Sequence, residues 1–483
     1  MATNFNKELG RDFEKKIYAY ALKNAVEHEG KAQAGSVLSP LFVEGLKKEN
    51  VREVMPLINQ IIKKVNSLSP DEQKQELDKL EKLVHHREIR EGLASLPNAV
   101  EGKFITRFSP SPSGPLHIGH AATGMPNSLY AKKYKGKFYI RIEDTNPENI
   151  DPDAYKMIPE ESDWLFGNVF QSYCQSDRMQ KYYDFAEKLI EKNAAYVCDC
   201  NPEKFKELIE KEKACPCRNL LKEKNMERWK KMLDKSGKGY KEGQAVLRFK
   251  SDLNDPNPAL RDFPLARINT KEHPRQKNKY RVWPLMNLCV TVDDIEFKST
   301  HVIRAKEHMD NAKRQEMMMR VFNLTPPLSF FLGRYKFTDL EISCTKTKEK
   351  IKQGKFSGWD DIRIPFIASL RKRGFRAQAF ANMAEERGIS PVDKVISKED
   401  YFDVLSNFNR EILRDKSIGA SFERQRIKTK DSVSILMPDA SVILGKTDLK
   451  MKKLKEGQIV FFKGIGYCCF NPKEKVKFWF GHK

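Results

Sequence analysis

The sequence predicts an α/β protein with a parallel sheet near its centre, a helical segment before that sheet and a β-rich segment after it. Residues 103–108 (KFITRF) and 137–144 (KFYIRIED) have the apolar patterns of strands, and residues 117–134 have the pattern of a helix. This order of elements within a short stretch indicates a βαβ unit. Residues 431–470 contain short apolar runs separated by turn residues, which is typical of a β domain.

The N-terminal segment is predicted to be helical. Phe13, Ile17 and Tyr20 fall on one face of a helix at the spacing of successive turns. Residues 69–72 (SPDE) have the pattern of a capping box with proline at the first helical position, and they predict the start of another helix. The charged run 81–93 predicts either a solvated helix or a linker.

Charge and composition narrow the class of protein. The 483 residues carry 88 lysines and arginines against 66 acidic residues, a formal charge of +22. Such an excess favours a polyanionic partner, above all a nucleic acid, although a basic surface that serves solubility is the alternative. No apolar run approaches the ~18 residues of a membrane span, so we expect no membrane association. Nine cysteines are an odd number for a disulfide framework, and the polar N-terminus is unlike a signal peptide. We therefore expect a cytoplasmic protein.

Opposite charges are predicted at the carboxyl ends of the first two central strands, where ligands of parallel sheets bind. Arg107 lies at the end of the first strand and Glu143 at the end of the second. A loop rich in proline and glycine follows the first strand and leads into His117 and His120 at a helix start. A cation and a carboxylate beside a helix N-terminus suit a zwitterionic ligand and a phosphate.

Several ordered motifs resemble those of class I glutamyl-tRNA synthetases, in their archaeal form. The resemblance extends over about residues 10–420, and more weakly beyond. It rests on five segments: 107–121 (RFSPSPSGPLHIGHA), 140–147 (IRIEDTNP), 21–32 (ALKNAVEHEGKA), 357–374 (SGWDDIRIPFIASLRKRG) and 409–415 (NREILRD).

The resemblance implies a Rossmann-type class I synthetase catalytic domain with four further parts. Runs 281–292 and 300–305 are predicted as strands where the chain returns from an insertion to the nucleotide-binding sheet. The expected domains are an N-terminal helical extension (1–98), the first half of the catalytic domain (99–190), an acceptor-stem-binding insertion (191–280), the second half of the catalytic domain (281–352), a helical stem-contact domain (353–422) and a truncated β-barrel-like anticodon-binding domain (423–483).

The resemblance implies that ATP binds at the helix that begins near His117. Gly114 and Gly119 would let backbone N–H groups approach the phosphates, and the helix N-terminus would favour their negative charge. His117 and His120 would donate hydrogen bonds to phosphate oxygens as charge builds at the α-phosphorus. The alternative for a lone His-x-x-His pair is an ordinary helix face or half of a metal site.

Residues 342–351 (ISCTKTKEKI) resemble the mobile lysine-containing loop that closes over pyrophosphate in class I enzymes. Ser343, Thr345 and Lys346 are the expected ATP contacts, and Lys346 would neutralise the leaving pyrophosphate. Cys344 departs from the family pattern at its position. An ordinary basic helix start is the alternative for this segment.

The resemblance assigns the amino-acid pocket to Arg107, Ser109, Glu143, Met286 and Arg304. Arg304 is expected to form a bidentate pair with the side-chain carboxylate of glutamate, which would select it over glutamine. A surface ion pair is the alternative for this arginine. Met286 stands where the family has a tyrosine, and it fills the space without offering a hydrogen-bond donor.

Four cysteines form two close pairs, Cys198 with Cys200 and Cys215 with Cys217, and 14 residues lie between the pairs. Four thiolates that converge from two tight turns make a tetrahedral Zn²⁺ site, so we expect a structural zinc ion. Buried cysteines without a metal are the alternative.

The resemblance implies that tRNA lies against Trp359, Arg371, Lys372 and Arg373, although a solvated basic face is the alternative. Related archaeal enzymes look as though they end in two β-barrels, whereas about 60 residues follow residue 423 here. We therefore expect one short or incomplete barrel, and reading of the anticodon is left open. Adjacent cysteines at 468 and 469 are expected to alternate between the core and the surface of a strand.

The resemblance predicts a glutamate–tRNA ligase that makes glutamyl-adenylate from ATP and L-glutamate, with Mg²⁺, and transfers glutamate to the 3′ end of tRNA(Glu). Two alternatives remain: a paralogue with a reduced anticodon domain that acylates another acceptor, and a non-catalytic tRNA-binding relative. A glutaminyl enzyme is disfavoured because Arg304 would face a neutral amide. We expect a monomer whose N-terminal domain is a candidate docking surface for other translation factors.

Overall fold

The computed structural model describes residues 12–28, 30–42, 44–84, 92–426 and 432–483. The chain divides into two compact units at residue 91. The predicted boundary at residue 98 lies too late, because Leu96 is buried in the core of the second unit and its N–H donates to the Tyr134 hydroxyl at 2.9 Å. No helix of the described residues combines the length and the apolar character that crossing a membrane requires.

The first unit is helical, as predicted. Phe13, Ile17 and Tyr20 are buried in its core. The capping box is also confirmed, because the Ser69 hydroxyl accepts from the Glu72 N–H and the Glu72 carboxylate accepts from the Ser69 N–H. Most of the predicted helix or linker at 81–93 lies outside the described residues. The helices are α1 (Phe13–Glu27), α2 (Ala34–Leu41), α3 (Val51–Asn66) and α4 (Pro70–Leu80).

In its described residues, the second unit combines helices with five sheets. Its helices are α5 (Ile118–Lys133), α6 (Ala154–Phe166), α7 (Met179–Glu191), α8 (Pro202–Glu210), α9 (Lys222–Leu233), α10 (Met286–Glu296), α11 (Met309–Arg320), α12 (Cys344–Lys352), α13 (Ile367–Lys372), α14 (Ala377–Arg387) and α15 (Lys398–Leu413). Its strands are β1 (Ile105–Phe108), β2 (Lys137–Ile142), β3 (Gln171–Cys174), β4 (Ala195–Cys198), β5 (Val246–Phe249), β6 (Pro264–Ile268), β7 (Val282–Pro284), β8 (His301–Ala305), β9 (Leu328–Leu332), β10 (Tyr335–Phe337), β11 (Lys394–Ile396), β12 (Ile418–Ala420), β13 (Glu423–Gln425), β14 (Val433–Leu436), β15 (Val442–Lys446), β16 (Ile459–Phe462), β17 (Gly466–Phe470) and β18 (Phe478–His482).

Parallel strands form the centre of this unit. Strand β2 pairs with β1 on one side and with β3 on the other, and β8 pairs with β9 in a second parallel sheet. The second sheet lies beside β1, because the Thr300 N–H donates to the Ile105 carbonyl at 2.9 Å. The βαβ unit of β1, α5 and β2 confirms the sequence prediction. The carboxyl ends of β1, β2 and β8 therefore open toward the same region.

The insertion is an antiparallel sheet in the order β4-β5-β6-β7 with helices packed against it. The prediction of a strand over 281–292 was wrong beyond residue 284, because α10 begins at Met286. Leu288 and Val292 on this helix are buried at a helical spacing of four residues, and an apolar run alone does not separate that pattern from a buried strand. The return to the nucleotide-binding sheet therefore occurs at β8 rather than at residue 281.

Within residues 418–426 and 432–483, the C-terminal sheet has seven strands in the order β12-β16-β17-β18-β14-β15-β13. It begins earlier than the predicted residue 423, because β12 pairs in parallel with β16. Cys468 and Cys469 are both buried, which corrects the expected alternation. Both faces of β17 are covered: Cys468 lies in the core of the sheet, and Cys469 packs with Leu413 of α15.

Candidate active site

A cavity of about 450 Å³ lies at the carboxyl ends of β1, β2 and β8 and at the N-terminus of α5. Its walls combine charged, aromatic and backbone groups. Of the residues predicted to bind ATP or the amino acid, eight line this cavity: Arg107, Ser109, His117, Gly119, His120, Glu143, Met286 and Arg304.

Two imidazoles of the cavity wall, those of His117 and His120, are stacked, with ring centroids 3.7 Å apart. His117 is the N-cap of α5, and its Nδ1 accepts from the backbone N–H groups of Gly119 and His120. His120 Nδ1 accepts in turn from the His117 N–H at 3.3 Å. Burial lowers the pKa of His117 to about 4, and burial together with the neighbouring His117 lowers the pKa of His120 well below its ordinary value. Because each Nδ1 is an acceptor, each neutral ring carries its hydrogen on Nε2, as a single donor.

The amino-acid end of the cavity rests on a buried ion-pair network. Arg107 donates from Nε and Nη2 to both carboxylate oxygens of Asp294, at 3.2 and 3.1 Å. Arg141 donates to Asp294 at 3.1 Å and to Glu143 at 3.2 Å. Burial by itself would raise the pKa of Asp294, but the charges of Arg107 and Arg141 lower it below its ordinary value. Asp294 is therefore an ionised carboxylate that orients two arginines of the cavity wall.

Arg304 differs from these arginines in its partners. Its Nη2 donates to the Gln315 Oε1 at 3.1 Å and to the Ser329 hydroxyl at 3.0 Å, and both acceptors are neutral. No carboxylate of the described residues lies within ion-pair distance of Arg304, and its Nε has no hydrogen-bond partner. Burial and the nearby charge of Arg107 lower the pKa of Arg304, yet a guanidinium stays protonated at neutral pH. The nearby Ser109 hydroxyl is likewise buried without a partner.

Met286 lies at the first position of α10 on the cavity wall. Its side chain is 37% exposed, and the amide of Asn311 approaches its sulfur at 3.5 Å. Methionine supplies apolar surface at the place where the family has a tyrosine.

The second predicted ATP segment does not line the cavity beyond Ile342. Ser343 is the N-cap of α12 and accepts from the Lys346 N–H, while Thr345 is exposed. The Lys346 ammonium pairs with Glu341, and its side chain is 60% exposed. In this arrangement Ser343, Thr345 and Lys346 stand apart from the cavity, and their contact with ATP stays a prediction.

Gly114 faces this second segment rather than open space. A Cβ at position 114 would lie 3.1 Å from the Cys344 Cβ and 3.1 Å from the Trp359 ring. Cys344, the unexpected residue of the segment, is thereby buried against the glycine-rich loop. Close packing between two loops accounts for the glycine, and the approach of its backbone to phosphate stays a prediction.

The four paired cysteines converge in the insertion, with all their Sγ atoms within 4.8 Å of one another. Cys198 Sγ lies 3.9 Å from Cys215 Sγ, and Cys200 Sγ lies 3.6 Å from Cys217 Sγ. A tetrahedral zinc site with Zn–S bonds of about 2.3 Å sets its sulfurs about 3.8 Å apart. The donor set and its spacing therefore fit Zn²⁺.

The residues predicted to face tRNA have different environments. Arg371 is exposed and lies over the Trp164 ring, whereas Lys372 pairs with Asp360 at 3.0 Å. Arg373 requires a correction, since it is buried and donates to the carbonyls of Phe480 and Gly481. Its position at the junction with the C-terminal sheet gives it a structural role.

Trp359, the remaining residue of that set, is partly buried beside Phe366, with ring centroids 5.0 Å apart. It packs against the loop that carries Gly114. This packing places Trp359 near the loops of the active site rather than on an open basic face.

Sequence reasoning missed the residues that support the cavity from behind. Asp294 and Gln315 hold the arginines, and Glu161 holds the backbone before His117, where its carboxyl group accepts from the Leu116 N–H at 2.6 Å. A signal for Asp294 exists in the adjacent acidic residues of 286–296, an otherwise apolar run. Gln315 and Glu161 lie in segments without a comparable signal.

The family model of tRNA synthetases class I (E and Q), catalytic domain, matches residues 103–415. This chain belongs to the class I tRNA synthetases of the E and Q family. Glutamate–tRNA ligase of Methanothermobacter marburgensis is 42% identical over 404 residues, which cover 83% of this chain and 71% of that protein. Glutamate–tRNA ligase of Methanothermobacter thermautotrophicus is 41% identical, over 85% of this chain and 73% of that protein. The corresponding ligase of Thermococcus kodakarensis is 40% identical, over 82% and 70%.

Membership of the E and Q family accounts for the architecture of the cavity. Class I synthetases use ATP with Mg²⁺ and join an amino acid to tRNA, so the chain is an enzyme with these substrates. The imidazoles at the α5 N-terminus and the arginines at the strand ends occupy the two halves of one synthetase cavity.

Proposed function

We propose that this synthetase is a glutamate–tRNA ligase, specific for glutamate over glutamine. The observation that carries the proposal is Arg304, a buried guanidinium on the cavity wall that pairs with no described carboxylate. A buried charge without a partner is unfavourable, and the side-chain carboxylate of a glutamate ligand supplies the missing one. The names of the archaeal relatives agree with this specificity.

The remaining polar groups of this end suit the α-amino and α-carboxylate groups. Glu143 has Arg141 on one side and the cavity on the other, so its carboxylate accepts from the ammonium of the ligand. Asp294 orients Arg107, and the positive charge of this arginine attracts the α-carboxylate. The Ser109 hydroxyl gains a hydrogen-bond partner when the ligand binds. Each charged group of glutamate thus meets a group of opposite charge.

In the first reaction an α-carboxylate oxygen of glutamate bonds to the α-phosphorus of ATP, and the bond to pyrophosphate breaks. Mg²⁺ bound together with ATP would neutralise charge on the triphosphate. The Nε2–H groups of His117 and His120 donate to phosphate oxygens, and the α5 N-terminus adds its partial positive charge. Because both rings are neutral, they stabilise charge without transferring a proton. A terminal ribose hydroxyl of tRNA(Glu) then attacks the acyl carbon, and AMP leaves.

Ser343, Thr345 and Lys346 contact ATP in this proposal after a local rearrangement of their segment. Lys346 pairs with an exposed acid, Glu341, and an exposed ion pair of this kind contributes little to stability. The lysine can therefore exchange Glu341 for the pyrophosphate of ATP at small cost. Gly114 supports that exchange indirectly, because it lets Cys344 anchor α12 against the glycine-rich loop.

Cys198, Cys200, Cys215 and Cys217 hold a structural Zn²⁺ in this proposal. Four protein ligands fill a tetrahedral site and leave no position for a substrate. The expected result is one zinc ion per chain in metal analysis of the purified protein, and its loss in Cys198→Ser and Cys217→Ser. Cys174→Ser, a buried cysteine outside the cluster, is the matched control. Wild-type protein purified without zinc would contradict the assignment.

The +22 charge and the exposed Arg371 support tRNA binding along the helical region, with Lys372 as a second cation and Trp359 beside the active-site loops.

Reduced thiols and a role in translation favour the cytoplasm. We propose a monomer in which the N-terminal helical unit docks other translation factors. The domain division is that of the sequence prediction, with the boundaries moved to residues 91, 300 and 417.

ATP–pyrophosphate exchange in the presence of tRNA tests the specificity. We expect exchange with glutamate and little with glutamine in the wild type. In Arg304→Met, kcat/KM for glutamate falls by about a hundredfold, because a charge-assisted contact worth about 3 kcal/mol is lost. Arg320→Met, an exposed arginine on α11, is the control. Exchange with glutamine alone would contradict the proposal, and exchange with no amino acid would favour the non-catalytic relative.

A further inference from the structure

We propose that Gln315 is a specificity-determining residue of this enzyme, because its neutral amide keeps the charge of Arg304 available to a ligand carboxylate. The inference rests on the proposed function and goes beyond it. Gln315 is a positioning residue, since it does not line the cavity and acts through Arg304. It lies on α11, 2% exposed, behind the cavity wall.

Gln315 contacts both Arg304 and Asp294, the carboxylate that pairs with Arg107 and Arg141. Its Oε1 accepts from Arg304 Nη2 at 3.1 Å, and its Nε2 donates to the Asp294 Oδ2 at 2.6 Å. A guanidinium only donates and an ionised carboxylate only accepts. The amide is therefore held in one orientation, and it satisfies both neighbours without carrying charge.

Other side chains at this position would change the charge balance of the wall. A carboxylate would neutralise Arg304 and would also repel Asp294, which already accepts from Arg107 and Arg141. An apolar side chain would leave the Asp294 oxygen and the Arg304 nitrogen without this partner. An amide is the group that supports Arg304 and leaves its charge uncompensated.

Gln315→Glu offers a test with a distinctive pH dependence. The groups that face residue 315 are Asp294 and the Val290 carbonyl of α10 and Arg304 of β8. The Ser329 hydroxyl contacts Arg304, and Arg107 and Arg141 contact Asp294. When the introduced carboxyl group is protonated, it donates to Asp294 and accepts from Arg304, as the amide does. When that group is ionised, it instead pairs with Arg304 and competes with the ligand carboxylate.

We therefore expect the KM for glutamate of Gln315→Glu to rise with pH relative to the wild type. At pH 6 the two values agree within about threefold, and at pH 8.5 the variant value is higher by about tenfold or more, as for the loss of ~1.4 kcal/mol of binding. The KM for ATP stays within about twofold throughout. The matched control is Gln180→Glu, an exposed glutamine whose amide also donates to an aspartate, Asp184.

Gln315→Met is the second variant, because it adds no charge and keeps the proposal testable if Gln315→Glu does not fold. It should raise the KM for glutamate about tenfold at every pH, with the KM for ATP unchanged. A wild type without glutamate-dependent exchange would overturn the proposed function, and the inference with it. An active wild type whose position-315 variants keep a normal glutamate KM, or change the ATP and glutamate KM values equally, would overturn the inference alone.

Discussion

Two buried carboxyl groups, Asp294 behind the amino-acid end of the cavity and Glu161 behind the phosphate end, have opposite pKa shifts. Burial would raise the pKa of Asp294, but Arg107 and Arg141 lower it below the ordinary value. Burial raises the pKa of Glu161 to about 8, and hydrogen bonds from the backbone N–H groups of Leu116 and Ala368 oppose that rise only in part. The same chemical group is thus ionised where two guanidiniums contact it and largely protonated where backbone N–H groups are its hydrogen-bond partners.

The difference follows the ligand chemistry of each end. Glutamate carries fixed charges, and the amino-acid end meets them with arginines that a buried carboxylate orients. At the phosphate end charge develops during the reaction, and two neutral imidazoles at the N-terminus of α5 face it. Preorganised neutral dipoles stabilise developing charge without tight binding of the ground state.

Asp294→Asn should give the largest effect, and it tests the role of the ionised carboxylate at the amino-acid end of the cavity. It leaves two buried guanidiniums without their shared counter-ion, so we expect the free energy of unfolding to fall by about 3 kcal/mol or more. In folded variant protein, kcat/KM for glutamate should fall by more than about a hundredfold. Urea denaturation and pyrophosphate exchange measure the two effects.

The pH dependence of this effect has a definite sign. A lowered pKa contributes stability that is present above the unfolded pKa of an aspartate and is lost as pH falls through the lower folded value. The difference in stability between wild type and Asp294→Asn should therefore be constant above about pH 5. The exposed Asp184→Asn is the control. A variant of wild-type stability would mean that Asp294 is not the counter-ion of the arginines.

His117→Asn should give the next effect, confined to the phosphate end. An asparagine oxygen can replace Nδ1 as the N-cap acceptor, but the shorter amide does not extend its N–H donors to the position of Nε2. We expect kcat to fall by about a hundredfold or more with little change in the KM for glutamate. The thermal midpoint should stay within about 2 °C of the wild type. His28→Asn is the control, and a drop in stability that matches the drop in kcat would indicate a purely structural histidine.

The parts of this site that sequence could predict are those with a local pattern. The change from strand to helix periodicity located β1, α5 and β2, and the histidines of the α5 start line the cavity together with Arg304. Capping at residues 69–72 was predictable for the same reason, since every partner lies within one turn.

The supporting residues could not be predicted, because their partners are far away in the chain. Asp294 contacts Arg107 across 187 positions, and no periodicity connects them. Arg373 resembles any other cation of its basic run, and only the packing of the C-terminal sheet makes it a buried donor. The apolar run of α10 was ambiguous because its residues are buried on most sides.

Glu161→Gln should give the smallest effect, and it tests whether the carboxyl group behind the phosphate end is protonated in the folded protein. The raised pKa of Glu161 means that the folded protein binds its proton more tightly than the unfolded chain does. The associated stability is present below the unfolded pKa and is lost as pH rises through about 8. A glutamine keeps an acceptor for the Leu116 N–H and does not titrate. This loss of stability with rising pH should therefore be absent from the variant.

We expect the thermal midpoint of the wild type to fall between pH 6 and pH 9 by about 3 °C more than that of Glu161→Gln. Glu160→Gln, the exposed neighbour on α6, is the control for the change in net charge. At pH 6 the variant should retain kcat within about threefold, because the backbone before His117 keeps its hydrogen bond. Parallel pH curves for wild type and Glu161→Gln would mean that Glu161 is ionised in the folded protein. In that case the two carboxyls would not differ in charge, and the neutral character of the phosphate end would rest on the histidines alone.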